Sequence, residues 1–316
     1  MKKIFFVALL SLLSGAGFSQ IIKDTLIRKL DSLSKKTDSA GKQINNITEG
    51  AYNQDTKLTL KTYFLLLGSN LKQDFTKPFH MNKREWRKLG LFVLATGALS
   101  FADESIQQGA MKFRNNNPGV ANTSKYITNF GGPYEAYTLA ALGAYGFVFK
   151  NQKLKTTTLL ATQAYITGGI IETVVKYLTG RTRPSFYDPS QEAEAQFKGP
   201  FGNTSRLNGS FPSGHTTVAF AAATVFAMEY KTTVWVPILS YTAATLIGIS
   251  RITENKHWAT DVFAGAILGY LSGKQIVNNY HRYAKLKAPQ QAKNTVAFNM
   301  LYNYNHPEPG IVYTFR

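Results

Sequence analysis

Three short stretches in the second half of the chain carry residues that could do chemistry together: KYLTGRTRP (176–184), PSGH (212–215) and SRITENKHWATD (250–261). Singly, each has an ordinary explanation. Lys176 could snorkel from a helix end, Ser213 could be an N-cap with His215 behind it, and Arg183 and Arg251 could be surface charges. His257 and Asp261, four apart, would pair on any helix face. Together they supply what a phosphoryl transfer requires. Lys176, Arg183 and Arg251 are three cations for the phosphate oxygens. The amides after Ser213 and Gly214 open a helix, where oriented N–H groups favour an anion and glycine permits close approach. The spacing predicts His257 and Asp261 on one helix face, the carboxylate accepting from Nδ1–H and leaving Nε2 free to attack. His215 is then the candidate acid for the departing oxygen. A helix N-terminus lowers its pKa and a bound dianion raises it again, so it should act chiefly with substrate present. No Asp/Glu cluster with metal-ligand spacing accompanies these residues, so neither a metal nor another cofactor is expected.

Elements must bring these stretches together. Six apolar segments run through roughly 89–103, 134–149, 157–178, 214–230, 233–250 and 259–274, and the three stretches bracket the last four. All are rich in Ala, Gly, Thr and Leu, the texture of closely packed helices. Each is near the ~20 residues needed to cross a bilayer, yet Gln163 and Glu172 interrupt the third. A membrane bundle and a buried soluble bundle both fit. The loop from Tyr177 to Phe211 is long for a compact bundle and is a candidate part of the substrate entrance or a surface excursion.

The composition narrows the partners. The chain has 316 residues, 44 % hydrophobic and 17 % charged, no cysteine, and 36 Lys and Arg against 18 Asp and Glu, for a net charge of +18. This excludes disulfides and thiolate metal sites and implies an anionic partner. The basic residues are scattered among apolar runs, which favours a membrane surface or phosphate chemistry over nucleic acid. Residues 1–19 read as a secretory signal, with Lys2 and Lys3, an apolar centre and a small-x-small end. A polar arm follows over 20–87, a helical catalytic domain over 88–285, and a tail over 286–316 that reads as a β-hairpin turning at His306–Gly310. Basic stretches flank the first, second-to-third and sixth segments, which the positive-inside rule would place in the cytoplasm. A cleaved signal followed by six crossings would place them outside, so the two readings conflict.

The motifs Lys-x6-Arg-Pro, Pro-Ser-Gly-His and Ser-Arg-x5-His-x3-Asp, in this order, resemble the signature of the type 2 phosphatidic acid phosphatase family, whose superfamily includes bacterial non-specific acid phosphatases and vanadium haloperoxidases. The resemblance covers roughly residues 88–280. It implies an all-α fold, a bundle of about six apolar helices with the active site at one end. It further implies a metal-independent phosphatase in which His257 becomes a transient phosphohistidine, Asp261 supports it and His215 serves as acid and then base. Lys176, Arg183, Ser213, Gly214 and Arg251 would hold the phosphate. The expected substrate is a phosphorylated lipid (phosphatidate, phosphatidylglycerophosphate, polyprenyl diphosphate or lipid A), at a membrane of the cell envelope with the site facing the periplasm. A soluble periplasmic acid phosphatase, a vanadate-dependent haloperoxidase and a non-catalytic anion-binding membrane protein are the alternatives. Nucleic acid is not an expected partner.

Overall fold

The computed structural model describes residues 58–187, 193–200, 209–287, 294–303 and 306–315, together with residue 28. The expected signal at 1–19 and most of the arm lie outside the described residues. The described chain is mostly helical: α1 (Leu60–Thr76), α2 (Lys83–Ser100), α3 (Asp103–Asn116), α4 (Pro118–Phe130), α5 (Pro133–Val148), α6 (Gln152–Thr179), α7 (Gly214–Glu229), α8 (Trp235–Thr253) and α9 (Ala259–Lys287). Strands β1 (Asn294–Asn303) and β2 (His306–Phe315) pair antiparallel at the C-terminal end, with Asn303 opposite His306. The expected turn sequence His306–Gly310 is therefore the start of β2.

Helices α2 and α5–α9 correspond to the six apolar segments. Their ends follow local chemistry. Asn82 and Glu85 form a capping box at α2, Asn151 caps α6, and α6 stops where Gly180 turns left-handed at φ 53°. Helices α1, α3 and α4 stand outside the six apolar segments.

The tightest packing is between α7 and α9, which run parallel. Gly265, Gly269 and Gly273, one helical turn apart on α9, lie against the backbone of α7. A Cβ at Gly265 would come 2.7 Å from the carbonyl oxygen of Ser213, and one at Gly273 would come 2.5 Å from that of Ala221. Small residues at this spacing let two helix backbones meet directly. Helix α6 is antiparallel to α7, with Gly168 against Thr217 and Glu172 against Gly214. On the other flank Ala219 and Ala223 of α7 pack with Ala244 and Ile247 of α8. A second core, at the other end, joins Leu58, Leu65 and Leu66 to Leu160, Val225, Ile276 and Tyr280.

Alternation of the apolar helices sorts the loops. The ends of α2, α6 and α8 and the starts of α5, α7 and α9 lie at the same end of the bundle. The basic stretches at the start of α2 (Lys83, Arg84, Arg87, Lys88) and around the start of α6 (Lys150, Lys153, Lys155) lie at the opposite end. The sides are apolar: Leu91, Leu94, Phe147, Trp235, Ile238, Leu239 and Ile249 are all exposed. Among the described residues, only Trp235–Thr253 is by itself long and apolar enough to cross a membrane.

Candidate active site

All eight residues singled out from the sequence meet at the end of the bundle where α6 and α8 stop and α7 and α9 begin. His215 is the second residue of α7, and Arg183 lies in the loop after α6. His257 precedes the start of α9, so it does not share a helix face with Asp261 as the spacing predicts. The reason is local. Asp261 Oδ2 accepts from the amide of Trp258 at 2.8 Å, folding the carboxylate back over the helix start and leaving His257 on the preceding segment.

The expected Asp261–His257 hydrogen bond is replaced by another. His257 Nδ1 lies 2.8 Å from the carbonyl oxygen of Ser210 and 3.4 Å from Asp261 Oδ2. A carbonyl can only accept, so Nδ1 carries the proton and Nε2 keeps its lone pair. Asp261 stays close enough to stabilise positive charge on the ring. Ser210 also donates its hydroxyl to Asp261 Oδ2, and its own amide donates to the carbonyl of Arg181 at 2.8 Å. Burial pushes the His257 pKa down to about 3, with Arg183 and Arg251 also opposing protonation and Asp261 favouring it. The imidazole is therefore neutral and nucleophilic at neutral pH.

His215 packs on a glycine pair. A Cβ at Gly131 would stand 3.0 Å from His215 Cβ, and one at Gly132 would stand 3.2 Å from its Nε2. Burial, then the charges of Arg251, His257, Lys176 and Arg183, lowers its pKa to about 3. These act in the same direction as the helix start expected from sequence: His215 is neutral until an anion offsets those cations. Both histidines lie at helix ends, outside the apolar middle of the bundle.

Two of the cations are anchored by their own partners. Lys176 Nζ is 2.8 Å from Glu172 Oε2, one turn back on α6. Arg251 Nη1 donates to Thr128 Oγ1 of α4 at 2.6 Å. The charge of Arg183 is felt by His215, His257 and Asp261. Ser213 caps α7: its Oγ accepts from Thr216 Oγ1 at 2.9 Å, and its amide donates to the carbonyl of Asp261 at 2.9 Å. Gly214 faces Glu172 and Lys176, and a Cβ there would come 3.3 Å from Lys176 Nζ.

Several contributors escaped the sequence reading. Helices α3 and α4 cover this end: Gln107 donates to Asn255 at 2.7 Å, Thr253 to Ser124 at 2.8 Å, and Arg114 pairs with Glu254 at 3.5 Å. Arg181, inside the first motif, donates through Nη1 to Asp261 Oδ1 at 2.6 Å and pairs through Nη2 with Asp103. Three basic residues within KYLTGRTRP were the only sequence signal for it. The segment after it folds back as a bridge between Arg181 and Phe197. Within the expected entrance loop, Glu194 and Lys198 are exposed and Tyr187 is half-buried, whereas Asp188 and Glu192 lie outside the described residues.

Residues 157–284 match the family model described as the PAP2 superfamily. The chain is 36 % identical over 140 residues to the lipid A 1-phosphatase of Porphyromonas gingivalis, covering 43 % of this chain and 27 % of that protein. It is 31 % identical over 159 residues to lipid phosphate phosphatase 1 of Arabidopsis thaliana, covering 40 % of this chain and 49 % of that one. It is 28 % identical over 186 residues to phosphatidylglycerophosphatase B of Bacillus subtilis, covering 56 % and 82 %. The chain thus spans less than half the length of the first two relatives.

Proposed function

We propose, from the match of residues 157–284 to the PAP2 superfamily model, that this protein is a lipid phosphatase that works through a phosphohistidine on His257. One observation carries the reading: two neutral histidines, each oriented by its own backbone neighbours, sit with Lys176, Arg183 and Arg251 at one end of the bundle. Phosphate would bind among these cations and the first amides of α7. His257 Nε2 attacks phosphorus, the bond to the lipid oxygen breaks, and His215, protonated once the dianion offsets the cations, gives its proton to the leaving alkoxide. Water then attacks the phosphoimidazole, His215 takes its proton, and phosphate departs with Nε2 restored. Asp261 stabilises the imidazolium formed between the two steps.

The exposed apolar sides favour a lipid over a soluble ester, and the named relatives act on lipid phosphates. We place the basic end of the bundle in the cytoplasm by the positive-inside rule, with the site on the periplasmic side. In that orientation the chain reaches α2 from the cytoplasm, and a cleaved signal would require α1 to cross as well. The absence of native cysteine makes this testable by labelling in intact cells. Ser185→Cys should react with an impermeant maleimide and Asn151→Cys should not; the reverse pattern would overturn the orientation.

Activity is tested by phosphate release in excess chelator from phosphatidate, phosphatidylglycerophosphate, undecaprenyl diphosphate, lipid A and p-nitrophenyl phosphate. Release from a lipid, abolished in His257→Gln and indifferent to chelator, is the expected result. Activity that survives the substitution would sink the phosphohistidine. Equal turnover of every ester would favour the soluble, non-specific acid phosphatase.

A further inference from the structure

The charge network behind Asp261 reaches a residue that lies well outside the family match. Asp103 opens α3, more than fifty positions before residue 157, yet its carboxylate is fully buried with Arg181 and Asp261. Arg181 holds one carboxylate in each hand: Nη1 on Asp261 Oδ1 at 2.6 Å and Nη2 on Asp103 Oδ2. Thr260 completes the clasp. Its amide donates to Asp103 Oδ1 at 2.9 Å, and its hydroxyl sits between Asp103 Oδ2 and Arg181 Nη1. The guanidinium lies 4.5 Å from the Phe197 ring and 5.5 Å from that of Trp258, which fixes its plane.

This arrangement costs desolvation of three charges, and a simple Arg181–Asp261 pair would need only two. What the third adds follows from electrostatics. An isolated guanidinium against Asp261 would neutralise the carboxylate that must support positive charge on His257. With Asp103 on the other side, the buried cluster keeps a net negative charge, and Arg181 is held by a partner that takes no part in the reaction. The planar fork fixes Oδ1 and leaves Oδ2 to Ser210, Trp258 and the His257 ring.

Resting on the phosphohistidine reading above, we infer that Asp103 is a positioning residue for the reaction, acting through Arg181 to aim Asp261 at His257 and to preserve its negative charge. It touches no substrate. Its loss should therefore slow the step that builds charge on the ring while leaving the phosphate cradle of Lys176, Arg183, Arg251 and the α7 amides intact.

The test is a split between turnover and anion affinity in the full-length chain. In Asp103→Asn, kcat should fall ~10–100-fold, taking as a guide the loss seen when a carboxylate that orients a metal-ligating side chain is removed. The inhibition constant of inorganic phosphate, the product, which occupies the cradle without bonding to His257, should stay within about twofold in the same assay. Asp103→Glu, which keeps the charge, should recover most of the turnover. Wild-type kcat in Asp103→Asn overturns the inference, as does a parallel loss of turnover and phosphate affinity, which a merely structural contact would produce. Should Asp103→Asn fail to fold, Thr260→Val removes the hydroxyl between Asp103 and Arg181 without changing any charge. It should show the same split at roughly threefold, and unchanged turnover there overturns the inference equally. A wild-type protein that hydrolyses no phosphate ester would defeat the proposed function itself.

Discussion

His257 Nδ1 is 2.8 Å from the main-chain carbonyl of Ser210, closer than the 3.4 Å to the carboxylate of Asp261. The tautomer of the nucleophile is thus fixed by backbone, and the acid is left with a purely electrostatic task. This division orders three substitutions. His257→Gln should abolish turnover, because the nucleophile is gone. Asp261→Asn should keep the tautomer but lose the charge, lowering kcat by about 10²–10⁴. Ser210→Ala keeps the carbonyl and loses only the hydroxyl donated to Asp261, so roughly tenfold is expected. Steady-state kinetics on one phosphorylated lipid reads all three, and a Ser210→Ala enzyme as dead as His257→Gln would contradict the ordering.

Phosphate binding should be accompanied by proton uptake. In the empty site His215 is held at about 3 by burial and by the four positive or protonatable neighbours Arg251, His257, Lys176 and Arg183. A dianion among them reverses the charge contribution and raises the pKa. Calorimetric titration with sulfate, a phosphate-shaped anion that is already a dianion at about pH 6, below the ordinary histidine value of ~6.5, in buffers of differing ionisation enthalpy should show net uptake, lost in His215→Gln.

The same two histidines set a sign for stability. Both are neutral when folded and have pKa values of about 3, below the ordinary value. The unfolded chain therefore binds more protons through the window from about 6.5 down to about 3, and stability falls as pH falls through it. Thermal melts should drop across that window, less steeply in the His215→Gln, His257→Gln double variant. A slope unchanged by both substitutions would mean that neither imidazole is buried neutral.

Much of this site could be read in the sequence because its members are chemically unusual where they stand. His215 at the mouth of an apolar run and two cations flanking a loop are visible without coordinates. The helices that carry them are legible for the same reason, being long apolar runs broken by polar loops. Helices α3 and α4 are not, since DESIQQGAMKFRNN and PGVANTSKYITNF have no apolar run to announce them. Yet they bring Asp103 and Thr128 to the catalytic end. Ser210 was illegible in a deeper way, because it holds His257 through a carbonyl that every residue possesses. The segment His257–Asp261 was read as helix because four-residue spacing allows it; that Asp261 would instead cap the helix start depends on the amide of Trp258.

Glu172 is a negative charge inside a phosphate cradle. Its carboxylate holds Lys176 at 2.8 Å and lies against Gly214, at the start of α7 where phosphate should bind. An incoming dianion must share Lys176 with it. Glu172→Gln should therefore tighten vanadate inhibition by roughly three- to tenfold, about 0.7–1.4 kcal/mol, provided Lys176 keeps its place. Weaker inhibition would mean that Glu172 serves mainly to aim the lysine.

The last expectation concerns the joint that sets the distance between His215 and Asp261. His215 begins α7 and Asp261 lies in the first turn of α9, and these helices touch through Gly265, Gly269 and Gly273. At Gly269 a Cβ would overlap the carbonyl oxygen of Thr217 and lie 2.9 Å from the amide of Ala221. Backbone cannot yield as a side-chain tip can, so Gly269→Ala must push the helices apart. Such overpacking typically costs about 1–3 kcal/mol, and the displacement should lower kcat as well. Gly97→Ala on α2 is the control, since its Cβ meets nothing within 4 Å. There the better helix propensity of alanine should stabilise by ~0.5–1 kcal/mol with activity unchanged. Melting temperatures and kcat measured side by side would separate the two, and a Gly269→Ala protein as stable and active as wild type would show that α7 and α9 do not meet this closely.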